Sequence, residues 1–255
     1  MWNRTPHRLR FIVWSNTNSQ SFAQMKNLRA AGLLALLAMT AASRAATYTF
    51  NFSSGFANAG TILDGNATGW SDTRTLSGIA DASIVDLNVS LNIAGGFNGD
   101  LYVYLTHDSG FSVLLNRVGR TAANAFGYSN AGLNVTFDDA ASNGDVHLYQ
   151  NVAGYSALIG NGSPWTPDGR NINPLLTLDS DTRTQMLSSF NGGSPNGNWT
   201  LFVADLSGGS QATVVNWGLT VTAVPEPSSW GMVIAGGFAL LIFGRFKRGN
   251  NPLLD

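Results

Sequence analysis

The sequence predicts an all-β fold: a jelly-roll-like antiparallel β-sandwich, flanked by an N-terminal signal peptide and a C-terminal transmembrane helix. Three observations predict it. Between residues 47 and 222 apolar side chains recur with period two rather than 3.6. The runs are short and separated by clusters of Gly, Asn and Asp, residues that suit turns. Both ends of the chain are apolar while the body is polar and acidic.

In chain order, residues 1–24 read as an upstream extension, because a complete export signal begins only at Met25. Translation is expected to start at Met25. Lys26 and Arg29 form a positive n-region, Ala30 to Met39 an apolar h-region, and Ser43-Arg44-Ala45 places small residues at the positions a signal peptidase reads. Residues 25–45 are therefore a signal peptide, cut between Ala45 and Ala46.

The body, 46–224, is one domain. Val85, Leu87, Val89, Leu91 and Ile93 alternate with polar residues, a strand with one dry and one wet face. Gly95 to Gly99 forms a turn, its Asn-Gly pair suited to positive φ. Asp100 to Thr106 is the next strand, with Leu101, Val103 and Leu105 inward and Tyr102 and Tyr104 outward. His107 to Gly110 turns the chain into Phe111 to Asn116. Further strands are expected at Leu133 to Phe137, Trp199 to Leu206 and Thr213 to Thr222, the last alternating Val215, Trp217, Leu219 and Val221. Tyr48 to Phe52 and Val146 to Tyr149 are weaker strand candidates, Thr184 to Phe190 a short helix, and Gly160 to Pro174 a long loop.

The body has five arginines, no lysine, thirteen aspartates and no glutamate, a net charge of −8. A basic nucleic-acid footprint is absent, so cations are the more plausible ionic partners. With no cysteine in the chain, disulfides and thiolate metal sites are excluded.

The C-terminal segment, 225–248, has three parts: Pro225-Glu226-Pro227, an uncharged apolar run from Trp230 to Phe243, and a basic end of Arg245, Lys247 and Arg248. The prolines stop any strand or helix. As a helix, about 15 residues reach ~22 Å, short of a ~30 Å hydrocarbon core, so snorkelling or local thinning must help. The basic end would stay cytoplasmic. The competing interpretation is a buried helix closing the domain, but the run lacks a polar face and stands apart behind two prolines. Residues 249–255 form a tail.

Two resemblances follow from these residues. Pro225-Glu226-Pro227, the short span and the basic end together resemble the PEP-CTERM sorting signal of Gram-negative bacteria. That resemblance implies an exosortase-type membrane protease as partner, transient anchoring in the inner membrane, and delivery to the outer surface or an exopolysaccharide matrix, as in a biofilm. In the body, Asp86-Leu87-Asn88-Val89 with Phe97 to Leu101, then Thr136 to Ala141, Asn196 to Asp205 and Asn216 to Leu219, resemble successive segments of the proprotein convertase P (P/Homo B) domain. The resemblance spans Ile79 to Val221 and implies a jelly-roll sandwich with its first two matched strands in a hairpin. That family usually follows a subtilisin-like protease domain, which has no room here. His107 and His147 lack the context of a subtilisin histidine and are expected in a turn and on a strand, so no catalytic role is expected.

Candidate sites are therefore binding sites. Asp100, Asp138, Asp139 and Asp205 lie at strand ends and could hold calcium, an expectation strengthened by the P-domain resemblance; the competing role is turn stabilisation. Tyr102, Tyr104, Tyr155 and Trp165 could form a sugar-stacking platform, whereas Trp70, Trp199 and Trp217 suit the core. The expected product is an exported, non-enzymatic sandwich with a structural or binding role. Alternatives are a carbohydrate-binding module and an accessory or remnant of a secreted serine protease.

Overall fold

The computed structural model describes residues 44–80, 82–158 and 164–225, with the side chain of Ala82 left out. Its strands are β1 (Ala46–Phe52), β2 (Asn66–Leu76), β3 (Ala82–Phe97), β4 (Leu101–His107), β5 (Gly110–Asn116), β6 (Ala131–Phe137), β7 (Gly197–Asp205) and β8 (Ala212–Pro225). They form two antiparallel four-stranded sheets, in the orders β1-β8-β3-β6 and β2-β7-β4-β5. Among the described residues only β4 and β5 are both neighbours in sequence and partners in a sheet. Every other connection crosses from one sheet to the other.

The alternation of apolar and polar residues does what it predicts in β4, where Leu101, Val103 and Leu105 are buried and the residues between them half-exposed. Facing residues of the other sheet, among them Leu87, Val89, Leu91, Ile93, Leu219 and Val221, complete the core. Trp165, Trp199 and Trp217 are at most 1% exposed. Each large side chain so buried contributes roughly 1.5–3 kcal/mol.

Strict alternation fails at two bulges. The register of β3 against β8 shifts between Ile84 and Asp86 and between Asn92 and Ile93. An extra residue reverses the side chains that follow it. Val85 and Val215, expected inward, are therefore 43% and 41% exposed, and Ile84 and Val214 take the core positions. In β2 the register against β7 shifts between Asn66 and Trp70. Gly69 sits there at φ +65°, where a Cβ would lie 2.6 Å from both the Phe202 ring and the Val203 carbonyl. Only glycine fits.

Other expectations need correction. β3 and β4 lie in different sheets, so Gly95 to Asp100 is a crossover rather than a hairpin turn. Its positive φ values fall at Gly95 and Gly96, while Asn98–Asp100 forms a 3₁₀ turn. Val146–Asn151 is a 3₁₀ segment, not a strand, because the Asp145 side chain accepts from the His147 N–H and winds the chain. The helix expected over Thr184 to Phe190 reduces to a 3₁₀ turn at Leu187–Phe190, with the Asp139 carboxylate accepting from the N–H groups of Leu187 and Ser188. β2 had no predicted counterpart.

The expected loop 160–174 has a structural part from residue 164 onward. Trp165 donates to Thr136 O and its own carbonyl accepts from Asp138 N, both at 2.9 Å, so it lies along β6. Asp168 N and Gly169 N then donate to Leu114 O and Val113 O of β5. β6 and β5 are the end strands of the two sheets. This segment therefore covers both open edges and closes that side of the sandwich.

Residues 1–43 and 226–255, with the expected extension, most of the signal peptide and the anchor including Glu226, Pro227, Arg245, Lys247 and Arg248, lie outside the described residues. Ala45 and Ala46 are exposed at the start of β1, and Pro225 ends β8. Among the described residues no helix is long and apolar enough to cross a membrane.

Candidate functional site

The closing segment carries a buried polar network. His147 Nδ1 lies 2.7 Å from Asp168 Oδ2, and His147 Nε2 lies 2.9 Å from the Arg120 carbonyl. Both side chains of the His147–Asp168 pair are fully buried. A carboxylate faces one ring nitrogen and a carbonyl the other, an arrangement that favours the doubly protonated imidazolium. Burial opposes that charge, but the Asp168 hydrogen bond and charge, with the Arg120 carbonyl, outweigh it and hold the pKa above the ordinary value. Asp168 also accepts from Asn116 N at 3.1 Å and Arg170 Nη1 at 3.2 Å. Arg170 Nη2 reaches Asp145 Oδ2 and the Asp179 carbonyl, each at 2.7 Å. Arg183 binds the carbonyls of Pro167 and Asp168. Both ring nitrogens of His147 and most polar atoms around them hold the segment, while Asn116 Oδ1 and Arg170 Nε have no partner among the described residues.

His107 lies in the β4–β5 turn region as expected. It is stacked on Trp199 at 4.1 Å, with Nδ1 2.7 Å from Ser109 Oγ and Nε2 3.1 Å from the Asn196 carbonyl. Burial depresses its pKa. No carboxylate orients this ring: its two nitrogens meet a hydroxyl and a carbonyl.

Of the four aspartates proposed for calcium, the fold brings two together. Asp100 and Asp205 flank the β4–β7 pairing, where Leu101 faces Asp205 and Leu206 N donates to Asp100 O. Asp205 is fully buried, its Oδ2 has no partner, and burial pushes its carboxyl up to about 6. Burial likewise raises Asp100. A cleft of about 280 Å³ opens here, lined by Asp100, Tyr128 and Ser207 among others. Arg117 is already present, its Nη2 3.4 Å from Asp100 Oδ1 and its Nε donating to Gly99 O. Asp138 and Asp139 belong elsewhere. Asp138 Oδ1 accepts from Ala140 N, Asp139 caps the 3₁₀ turn at Leu187–Phe190, and the pair adds to the burial that raises Asp86. Among the described residues no group of three or more His or Asp side chains is arranged around a possible ion.

The sugar-stacking platform does not assemble as expected. Trp165 is 1% exposed and packs edge-on against Tyr149 and Tyr155. Tyr102 and Tyr104 do share the outer face of the second sheet. Tyr104, however, stacks on Phe202 at 4.7 Å and leans on Phe111 at 5.2 Å, while Tyr102 tilts against both Tyr104 and Phe202. These rings cover one another.

The outer face of the first sheet is of a different kind. Besides Val85 and Val215, which the bulges turn outward, register aligns the outward residues in four rows: Thr47, Thr222 and Asp86; then Thr49, Thr220 and Asn88. Next come Asn51, Gly218, Ser90 and Thr136, and last Asn216, Asn92 and Asn134. Eleven of these thirteen positions carry an amide or hydroxyl and one a charge. Thr47 and Thr222 hydrogen-bond to each other at 3.2 Å; among the described residues no other side-chain hydrogen bond joins members of this face.

Sequence reasoning missed Asn116, Asp145, Asp168, Arg170 and Arg183. The signal was the use of arginine alone among the body's basic residues, since a guanidinium fork suits buried carboxylates and carbonyls as lysine does not. It missed the four-row face because rows exist only once register is known.

Comparisons with known proteins add the following. A protein-family model for the proprotein convertase P-domain matches residues 176–221. This stretch contains β7 and most of β8, with the Asn196 to Asp205 and Asn216 to Leu219 segments. Two solved structures of an Aeromonas sobria serine protease, one alone and one with the chaperone ORF2, are similar at 15% identity and a TM-score of 0.39. They cover 70% and 71% of this chain, which spans 27% of theirs. No curated protein matches.

Proposed function

We propose that this chain is an exported, non-enzymatic β-sandwich of the P-domain kind, with a binding or structural role outside the cytoplasm. The observation that carries the proposal is a P-domain match on an all-β body whose buried His147–Asp168–Arg170 network serves the fold. The strand orders β1-β8-β3-β6 and β2-β7-β4-β5 support the jelly-roll reading that the P-domain resemblance implies. Export rests on the signal peptide read at 25–45. Sorting by an exosortase-type protease, transient inner-membrane anchoring and release to the outer surface or an exopolysaccharide matrix rest on the pattern at 225–248. The test is the intact mass of the protein recovered from fractionated host cells. Cleavage after Ala45 and near Pro225, in the outer or extracellular fraction, is expected; an uncleaved chain in the cytosol would overturn the proposal.

A role as accessory or remnant of a serine protease system is the second reading, favoured by the P-domain match alone. Calcium at Asp100 and Asp205 is a separate proposal. The unpartnered Asp205 Oδ2 supports it, whereas two carboxylates beside a resident guanidinium fall short of the 6–8 oxygens calcium takes. Equal melting temperatures in calcium and in chelator would remove it.

A further inference from the structure

We propose that the outer face of the first sheet binds neutral polysaccharide chains. The inference rests on the exported-matrix reading and names the ligand class for it. Only 11% of the chain is charged, so the character of this face lies in its run of amides and hydroxyls rather than in its lack of charge. This face carries one charge, Asp86, at its margin. Its remaining polar positions are amides and hydroxyls, each able to donate and accept, as the hydroxyls of a sugar ring do. Among the described residues, apart from the Thr47–Thr222 pair, these groups are not hydrogen-bonded to other side chains, and all but the buried Asn88 Oδ1 can turn to a ligand.

Geometry and charge narrow the ligand further. Four rows at about 6.7 Å and four strands at about 4.8 Å make a field roughly 20 Å by 14 Å, long enough for several sugar units of an extended polymer. The side chains are short. Threonine is stiff at χ1 and asparagine has two torsions, so little side-chain freedom is lost when a ligand settles. Gly218 in the third row keeps the middle of the field low, since a Cβ there would lie 2.5 Å from Phe50 O and 2.8 Å from the side chains of Asn51 and Ser90. Each hydrogen bond to a sugar replaces one to water, so affinity comes from repetition along a polymer rather than from one deep contact. The body's net charge of −8 disfavours acidic polymers. The aromatic face of the second sheet is the weaker candidate, because its rings are stacked on each other.

The test is native affinity electrophoresis of the purified full chain in gels cast with dextran, a mannan, a galactomannan or alginate. Retardation is expected in at least one neutral gel and not in alginate. Asn92→Glu combined with Thr220→Glu should weaken that retardation about tenfold or more, while Tyr102→Ala with Tyr104→Ala leaves it unchanged. If the charged pair fails to melt like the parent, Thr49→Glu on the end strand β1 takes its place. No retardation in any neutral gel, retention by the charged variant, or loss in the tyrosine variant would each overturn the inference. The export reading would survive such a result, since it is judged by fractionation and mass.

Discussion

Replacing His147 by alanine tests whether the closing segment is held by a buried charge. The imidazole is fully buried, with an acceptor facing each ring nitrogen. Its removal leaves the Asp168 carboxylate and the Arg120 carbonyl each short of a donor, with Arg170 the remaining cation at Asp168 and Arg183 helping only at Asp145. Breaking one side of a buried pair costs about 3–5 kcal/mol. For a domain of this size each kcal/mol moves the midpoint by about 2–4 °C, so Tm should fall by about 6–20 °C. The pH dependence is the sharper readout. The folded-state pKa of His147 is raised, so its contribution is fully present below the unfolded value near ~6.5 and is lost as pH rises through the folded value. Thermal melts followed by circular dichroism from pH 6.5 to 9.5 should show the parent losing stability as pH rises. His147→Ala should be flatter over the same range. A variant that melts within about 2 °C of the parent, or keeps the parent's full pH slope, would refute the imidazolium.

Three further outcomes follow from the same structure. Asp205→Asn should raise stability at pH 7–8 by ~1 kcal/mol, since burial holds the carboxyl at about 6 and the amide removes the cost of ionising it; urea unfolding should show the full gain at pH 8, about half of it at pH 5, where the unfolded carboxyl is already ionised, and none at about pH 3. Gly69→Ala should cost about 1–3 kcal/mol, because φ +65° and a 2.6 Å approach to Val203 O forbid a Cβ, and an unchanged urea midpoint would contradict the bulge. Trp217→Phe removes the 2.7 Å hydrogen bond from Nε1 to buried Asp72 Oδ2 and should cost about 1–3 kcal/mol in the same measurement, beyond what Asp72→Asn leaves for it to lose.

What the sequence determined by itself was local. Period-two alternation marks β4, β6, β7 and most of β3 and β8 without reference to anything distant, because a strand's two faces are set by neighbours two residues apart. Tryptophans 199 and 217 could be assigned to the core on size alone. What only tertiary structure decided depends on register and on contacts far apart in sequence. Bulges at Ile84/Asp86 and Asn92/Ile93 turned Val85 and Val215 outward, although nothing in their own neighbourhoods distinguishes them from Leu87 or Leu219. Asp145 converted an apparent strand at Val146 into a 3₁₀ turn by a single side-chain hydrogen bond. Asp100 and Asp205, 105 positions apart, met across β4 and β7, while Asp138 and Asp139 were drawn off to a cap and a turn. His147 found Asp168 and Arg120 only because one segment ties the end strands of both sheets. The four-row polar face likewise arises from strand order, since β1, β8, β3 and β6 are scattered along the chain and become neighbours only when the sheets close. A chain encodes which side chains share a face of one strand; hydrogen-bonded register between distant strands decides which faces stand side by side.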